Sequence, residues 1–365
     1  MGGVEVRCFY LAKELAKKHT VTVLARRKNG EKSHEQTGKL SIYRFGKTIN
    51  DPKFTVASIW DRLIYVIWSA YQGLRIKADL VEGSNFTTYL PAIIISFINK
   101  IPRCAYYPDI LLGKWKNHFG LIKGIIGESV EGLFLKMGWD MMITTDNNIK
   151  EKLIAVGIKT DIISIIPCGI DYDFCQSIRQ HSKKKNQIMA ISRLLAYKRI
   201  DWVITTFHQL LVIMPSLKLI IVGQGPKERC LKQLVDQLHI TDKVIFRRVV
   251  ATNDLYTELA QSKALLHPSL VEGFGIVLLE AMALGTPVVA ADIPTSKQFL
   301  DKIKGLLVFQ QNDQQDFYHK AKKLLEYPKL YQKLQTNGII NTKKFDWETI
   351  ANQTLTSYLT CFKKN

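Results

Sequence analysis

The stretch Ala264-Leu-Leu-His-Pro-Ser-Leu-Val-Glu-Gly-Phe-Gly-Ile-Val-Leu-Leu-Glu-Ala-Met-Ala-Leu-Gly-Thr-Pro-Val-Val-Ala290 reads as strand, loop, helix and strand. Gly285 stops the helix because glycine accepts the left-handed cap, and Pro287 forbids its continuation. Glu272-Gly-Phe-Gly275 is then the turn at the carboxyl end of a parallel strand, where open α/β sheets bind ligands. The amides of Phe274, Gly275 and Ile276 open the helix, and Gly273 and Gly275 let a ligand come close to the backbone, so a phosphate-bearing ligand is implied. Glu280, one turn inside, leans back toward the N-terminus, where it can accept from adjacent ribose hydroxyls. Glu272 can do the same for a second polyol. Glu280 also stands among Val277, Leu278, Leu279 and Met282, where an unpaired charge is costly, which favours a functional carboxylate over a solvated one.

The same alternation runs outward in both directions. In the first half, residues 20–25, 78–81, 103–107, 141–144 and 162–166 are expected strands of one sheet. A helical spacing through Val4, Cys8, Leu11, Ala12 and Leu15 precedes them. In the second half, residues 187–192, 217–222, 243–246, 264–267 and 287–291 repeat the pattern. The polar segment 179–186 separates the halves, so the expectation is an α/β protein of two doubly wound domains, 1–183 and 184–345, facing a central cleft. A last helix starting at Asp346 carries Ala351, Leu355, Tyr358, Leu359 and Phe362 on one stripe, and 346–365 is expected to pack back on the first domain.

A chain of 365 residues suits two domains, and 47% apolar with 23% charged residues excludes disorder. The longest apolar runs, 91–98 and 63–68, fall short of the roughly 20 residues of a membrane span. Six cysteines without a C-x-x-C pair argue against a zinc ribbon, a redox motif or a secreted disulfide framework, and the expected compartment is the cytosol. The net charge of +19 is spread over both halves and suits nucleic acid, an anionic membrane surface or a phosphate-bearing substrate. No zinc-finger spacing or aromatic-interleaved RNA-binding pattern is present, so no nucleic-acid partner is expected.

At Glu272 and Glu280, set in P-S-x-x-E-G-F-G-x-x-x-L-E-A-M-A-x-G-x-P-V-V, the chain resembles the retaining glycosyltransferases of family 4, with their GT-B fold of two Rossmann-like domains. The segment Ile191-Ser-Arg-Leu-Leu-Ala-Tyr-Lys-Arg-Ile200 resembles the family's G-R-L-x-x-x-K-G-x-D run, and Arg193 and Lys198 match the cations that hold the donor diphosphate. Residues 220–226, with Gly223, resemble the strand and turn near the nucleotide base. Residues 165–171 resemble the loop that closes the first domain, and Gly2-Gly3 matches the turn facing the donor phosphates. The resemblance implies transfer of a hexose from a UDP or GDP sugar to a lipid-linked or polysaccharide acceptor of the cell envelope. It implies no cofactor and no metal, and a leaving phosphate oxygen that takes the acceptor's proton on one face of the sugar. The implied catalytic residues are Glu272, Arg193, Lys198 and Asp109; the implied substrate-binding residues are Gly2, Gly3, Gly223, Gly273, Phe274, Gly275, Ile276 and Glu280. Residues 1–183 would be the acceptor side and 184–345 the donor side. Asp171-Tyr-Asp173 matches a metal-binding D-x-D, but a three-residue match is cheap and it sits inside the closing loop.

The chain also departs from the family pattern. Pro108-Asp109 stands where a His-Asp pair is usual, which leaves Asp109 as the candidate; His118 is nearby, in a loop where a histidine is more often incidental. Ser192 replaces a glycine, and Phe246-Arg-Arg-Val249 replaces a glycine-containing turn. The family's opening strand is not found before the Gly-Gly turn, so the first sheet is expected to lack it, with roughly 15 to 20 native residues missing from the chain. Segment 54–77, apolar with Arg62, Arg75 and Lys77, reads either as an interfacial helix on anionic lipid or as a core or subunit helix. With the positive charge it gives the expectation of a cytoplasmic enzyme, peripheral on the inner face of the membrane. Two other readings stand beside this one. Pro108 and the absent opening strand suggest a non-catalytic relative that binds sugar nucleotide or membrane as an assembly partner, against which the full donor-site set argues. Gly223-Gln-Gly225 suggests a nicotinamide-dependent dehydrogenase, weakly, since the third glycine and the acidic partner are lacking.

Overall fold

The computed structural model describes residues 3–27, 30–46, 59–110, 112–113, 115, 120–248 and 251–362. Gly2, His118, Val249 and positions 54–58 of the apolar segment lie outside these. The chain divides into two compact units, Met1–Cys168 with Trp347–Asn365, and Gly169–Asp346. The boundary therefore falls earlier than the expected 183/184. The intervening helix Tyr172–Gln180 belongs to the second unit because Cys175 is buried there and Gln176 Nε2 donates to the Ala283 carbonyl at 2.9 Å. The polar residues that suggested a linker run from its last turn into the strand Gln187–Ile191 and are bonded to the second unit, with Lys184 Nζ donating to Ser262 O at 2.7 Å and Lys185 N to Gln261 O at 2.8 Å. The two chain passages run side by side, with Ile170 N donating to Phe345 O and Tyr172 N to Asp346 Oδ1.

The first unit holds two sheets, not the one expected. Strand β1 (Val21–Arg26) runs parallel to β3 (Leu40–Phe45), with β2 (His34–Thr37) antiparallel on the far side. Strands β4 (Val81–Gly83), β5 (Arg103–Tyr106), β6 (Met141–Thr144) and β7 (Ile163–Ile165) form a separate parallel sheet in that order. Among the described residues no strand pairs with the outer edge of β1 or β4. At β1 the Leu24 carbonyl on that edge accepts instead from the Tyr65 hydroxyl at 2.9 Å. Strand β2 is exposed throughout and carries no apolar alternation, so periodicity could not reveal it.

The parallel sheet packs under helices through Tyr89, Ala105, Tyr107, Met142 and Leu153, with the Tyr89 and Tyr107 rings stacked at 5.2 Å. The Ile59–Leu74 helix is two-faced rather than buried all round. Tyr65, Ser69 and Ala70 face inward, and Trp60, Leu63, Ile64, Ile67 and Tyr71 face solvent. A Cβ at Gly73 would stand 2.2 Å from Ile95 Cδ1, so glycine lets this helix seat on the Phe86–Asn99 helix.

Beneath the Gly3–Leu15 helix lies a buried charge. Arg7 is fully buried; its Nη1 and Nη2 donate to Glu82 Oε1 and Oε2 at 2.7 and 3.2 Å, and its guanidinium lies 3.8 Å over the Tyr106 ring. Ser84 and Tyr358 hydroxyls donate to the same carboxylate at 2.9 and 2.6 Å. Burial alone would raise the Glu82 pKa, but the Arg7 charge and these hydrogen bonds outweigh it and hold it below the usual range. Tyr358 comes from the last helix, Trp347–Cys361, which buries Trp347, Ile350, Ala351, Thr354 and Cys361. Leu359 and Phe362, expected on its inner stripe, face outward.

The second unit is one parallel sheet of β8 (Gln187–Ile191), β9 (Lys218–Val222), β10 (Val244–Arg247), β11 (Ala264–His267), β12 (Val288–Ala291) and β13 (Leu306–Phe309). Their order is β10-β9-β8-β11-β12-β13. The chain winds outward from β8 in one direction and from β11 in the other, so the loops after these two adjacent strands flank the topological switch point, where a doubly wound sheet opens a crevice. Strand β13 was not among the expected strands.

Candidate active site

The loop after β11 is built by local rules. Gly275 opens the Ile276–Ala283 helix at φ 75°, a left-handed value, with Thr295 and Leu278 close by. Gly285, at φ 70°, closes it: Thr286 N donates to Ala281 O and Gly285 N to Met282 O, the paired bonds of a Schellman cap. Gly273 differs, since a Cβ there would meet nothing within 4 Å. The protein itself makes no demand for glycine at this point, and the open space over the loop suits a ligand's approach. Thr295 Oγ1 pins the loop by donating to the Glu272 and Gly273 carbonyls at 3.3 and 3.4 Å.

The loop after β8 meets it. Leu270 N donates to Tyr197 O at 2.9 Å, tying the two loops together. This brings buried Lys198 onto Glu272, where its ammonium donates to Oε1. The same oxygen lies 2.6 Å from His267 Nε2. Burial alone would raise the Glu272 pKa, yet the bond from His267 and the Lys198 charge overcome it and pull it down to about 2. Arg193 is exposed on this loop and its Nη2 donates to the Tyr197 hydroxyl at 3.1 Å. Gly223, at φ 152°, lies so close to Ser192 that a Cβ would stand 1.8 Å from its carbonyl oxygen, and a Cβ at Gly225 would be 2.4 Å from Leu194 O. These two glycines pack the β9 turn on the Arg193 loop; they do not form a dinucleotide fingerprint.

Glu280 is reached by Tyr256, whose hydroxyl donates to Oε1 at 2.6 Å. Burial raises the Glu280 pKa, and this bond offsets the rise in part. The second unit thus brings together Glu272 and Lys198, places Arg193 on the same loop as Lys198, and sets Gly273, Phe274, Gly275, Ile276 and Glu280 along one turn and helix. Asp109 and Gly3 belong to the first unit. Asp109 follows β5, half exposed, 3.6 Å from Lys152 Nζ, while Gly3 is the first residue of its helix. Asp171 caps the Tyr172–Gln180 helix by accepting from Phe174 N at 3.1 Å. His267, Tyr256 and Thr295 were missed in the sequence reading. His267 did carry a signal, as the one ionisable residue of a buried strand, at its carboxyl end.

Family models place this architecture. The model for glycosyl transferases group 1 matches residues 173–340, and that for Glycosyltransferase Family 4 matches residues 1–174. The O-antigen chain mannosyltransferase RfbU of Salmonella typhimurium is 30% identical over 274 residues, 73% of this chain and 72% of that protein. The chain belongs to the GT-B glycosyltransferases. An uncharacterized glycosyltransferase of Haemophilus influenzae is 29% identical over 167 residues, so the alignment spans about half of each, 46% and 47%. Among solved structures, sucrose-phosphate synthase from Thermosynechococcus elongatus has a TM-score of 0.79 at 18% identity, covering 100% of this chain and 94% of that one. Anabaena HepE, in complex with UDP and glucose, has a TM-score of 0.74 at 20% identity, covering 98% and 96%. These two likenesses concern the fold.

Proposed function

We propose that this glycosyltransferase moves a hexose from a nucleoside-diphosphate sugar to a hydroxyl of a lipid-linked or glycan acceptor of the cell envelope, with retention and without a metal. The observation that carries this reading is Lys198 on Glu272 at the switch point of the second sheet, one loop from the amides that open the Ile276–Ala283 helix. As the bond from the sugar's anomeric carbon to the diphosphate breaks, its electron pair goes to the diphosphate and the acceptor's hydroxyl oxygen bonds the same carbon. Lys198, Arg193 and the amides of Phe274, Gly275 and Ile276 take up that charge. Glu280 accepts from the ribose, the Gly223 turn lies beside the base, and Glu272 accepts from the transferred sugar. The leaving phosphate oxygen takes the acceptor's proton, so no enzymic base is required. In the first unit, Asp109 and Gly3 are the proposed contributors. The mannosyl transfer in RfbU's name and the UDP and glucose of HepE support a nucleotide-sugar donor and a cell-surface glycan product.

The exposed face of the Ile59–Leu74 helix supports a place of work on the inner surface of the membrane. Its stripe of Trp60, Leu63, Ile64, Ile67 and Tyr71 is flanked by Arg62 and Arg75, and Arg75 lies 4.0 Å over the Tyr71 ring. Apolar side chains beside cations on a basic protein match anionic lipid. No helix among the described residues is long and apolar enough to cross a membrane. Flotation with anionic vesicles at low salt is the check, and absence of binding would remove the membrane from this reading.

The donor site is tested by thermal stabilisation with UDP, GDP and ADP, alongside Arg193→Ala and Glu280→Ala. One nucleotide should stabilise the wild type and neither variant. A folded wild type unmoved by all three would favour a non-catalytic role.

A further inference from the structure

Lys198 and His267 converge on one atom, Glu272 Oε1, and all three side chains are at least 87% buried. Ionised Glu272 only accepts hydrogen bonds, so His267 donates through Nε2–H. Among the described residues Oε2 makes no hydrogen bond. Lys198 is therefore already neutralised before any donor arrives. A diphosphate offers an ammonium more charge than one carboxylate oxygen can, and Lys198 has three donors to turn toward it. The exchange would strand Glu272 as a buried, unpaired carboxylate unless another donor held it. His267 is that donor, on a ring fixed within β11, where its backbone pairs with Ala290 of β12.

We propose that Glu272 is the resident anion of Lys198, displaced when the donor diphosphate binds, and that His267 is the positioning residue that keeps the displaced carboxylate on the sugar. The proposal rests on the donor-site reading above. It makes two separable demands. A bare nucleoside diphosphate must break the Lys198–Glu272 pair without gaining any sugar contact, so removing Glu272 should help it bind. Removing the His267 donor strands the displaced carboxylate, so it should weaken the bare diphosphate as well as the nucleotide sugar, and only while Glu272 is present.

Calorimetric titration of the full chain with UDP, GDP and ADP, and with UDP-glucose, GDP-mannose and ADP-glucose, tests both demands. For the nucleotide that the wild type binds, Glu272→Ala should tighten the bare diphosphate severalfold and abolish the preference for the nucleotide sugar. His267→Phe should weaken the bare diphosphate about tenfold, the worth of one charge-assisted hydrogen bond, and the nucleotide sugar by no more than that, since sugar hydroxyls then donate to the carboxylate; in a Glu272→Ala background it should change neither. His267→Gln, which keeps an N–H donor, should stay close to wild type. Lys198→Met gives a check that does not depend on the folding of the His267 variants: in that background Glu272→Ala should no longer tighten the bare diphosphate. Weaker or equal diphosphate binding by Glu272→Ala overturns the resident anion. No loss of bare-diphosphate affinity in His267→Phe, a loss that persists in the Glu272→Ala background, or a His267→Gln as poor as His267→Phe, overturns the positioning role. A wild type that binds no nucleotide overturns the donor site itself, and the proposal with it.

Discussion

Glu82 and Glu272 are buried glutamates that each pair with a cation, and the pairs are built differently. Glu82 is saturated: both oxygens bond Arg7, Ser84 and Tyr358 each add a hydroxyl, and the guanidinium is covered by the Tyr106 ring. Glu272 uses one oxygen for Lys198 and His267, and among the described residues the other makes no hydrogen bond. Arg7 makes a planar fork that matches a carboxylate in one geometry, whereas an ammonium is a point charge on a flexible stem. The first pair fastens helices from opposite ends of the chain to a sheet. The second is a contact that a ligand can take apart.

The largest expected effect comes from breaking the saturated pair. Arg7→Met leaves Glu82 charged and buried, which should cost about 3–5 kcal/mol of stability. Hydrogen exchange should show the Gly3–Leu15 and Trp347–Cys361 helices losing protection together, since Tyr358 hangs on the same carboxylate. The double variant Arg7→Met with Glu82→Leu should recover much of the loss, because both charges are then gone. Unchanged protection in the single variant would contradict the fastening role.

Acid separates the pairs next. The Glu272 pKa falls from 4.5 to about 2 on folding, so the unfolded chain binds more protons between those values. Its stabilisation is complete above pH 4.5 and is lost as pH falls toward 2. The stability difference between wild type and Glu272→Gln should therefore shrink by something on the order of 3 kcal/mol across that window. Denaturant midpoints at a few pH values would show it, and a difference independent of pH would mean that the carboxylate charge is not what holds Lys198.

The contrast also marks what the sequence could disclose. The donor-side loop was legible because its signals are local: Gly275, Gly285 and Pro287 punctuate a helix whose cap bonds span a few residues. Glu272 and Glu280 follow from that helix start. The Arg7 network was not legible, since Glu82 lies 75 residues from Arg7, and Tyr358 lies 276 from Glu82. No period in a sequence reports such a meeting. The same holds for the two sheets of the first unit, as a break between β1 and β4 is a matter of pairing and not of propensity. The last helix misled for a different reason. Its leucines suggested a stripe, while Thr354 and Cys361 take the inner face and Leu359 is left outside.

A third carboxylate is held by a neutral donor, and the expected effect there is small. Among the described residues Glu280 has no cation paired with it and accepts from the Tyr256 hydroxyl, and its pKa is raised where those of Glu82 and Glu272 are lowered. A neutral donor offsets burial without reversing it. Because the folded pKa exceeds 4.5, this group favours the folded state most at low pH and loses that contribution as pH rises through its own pKa. Tyr256→Phe removes the one bond that favours the charged form. It should cost about 1 kcal/mol at neutral pH and less at pH 4, where Glu280 is protonated and no longer needs the donor. Melting temperatures of the wild type and this variant at both pH values measure the difference. Equal losses would show that Tyr256 contributes packing, its ring lying 5.8 Å from that of Phe174, and that Glu280 is governed by burial without its hydroxyl.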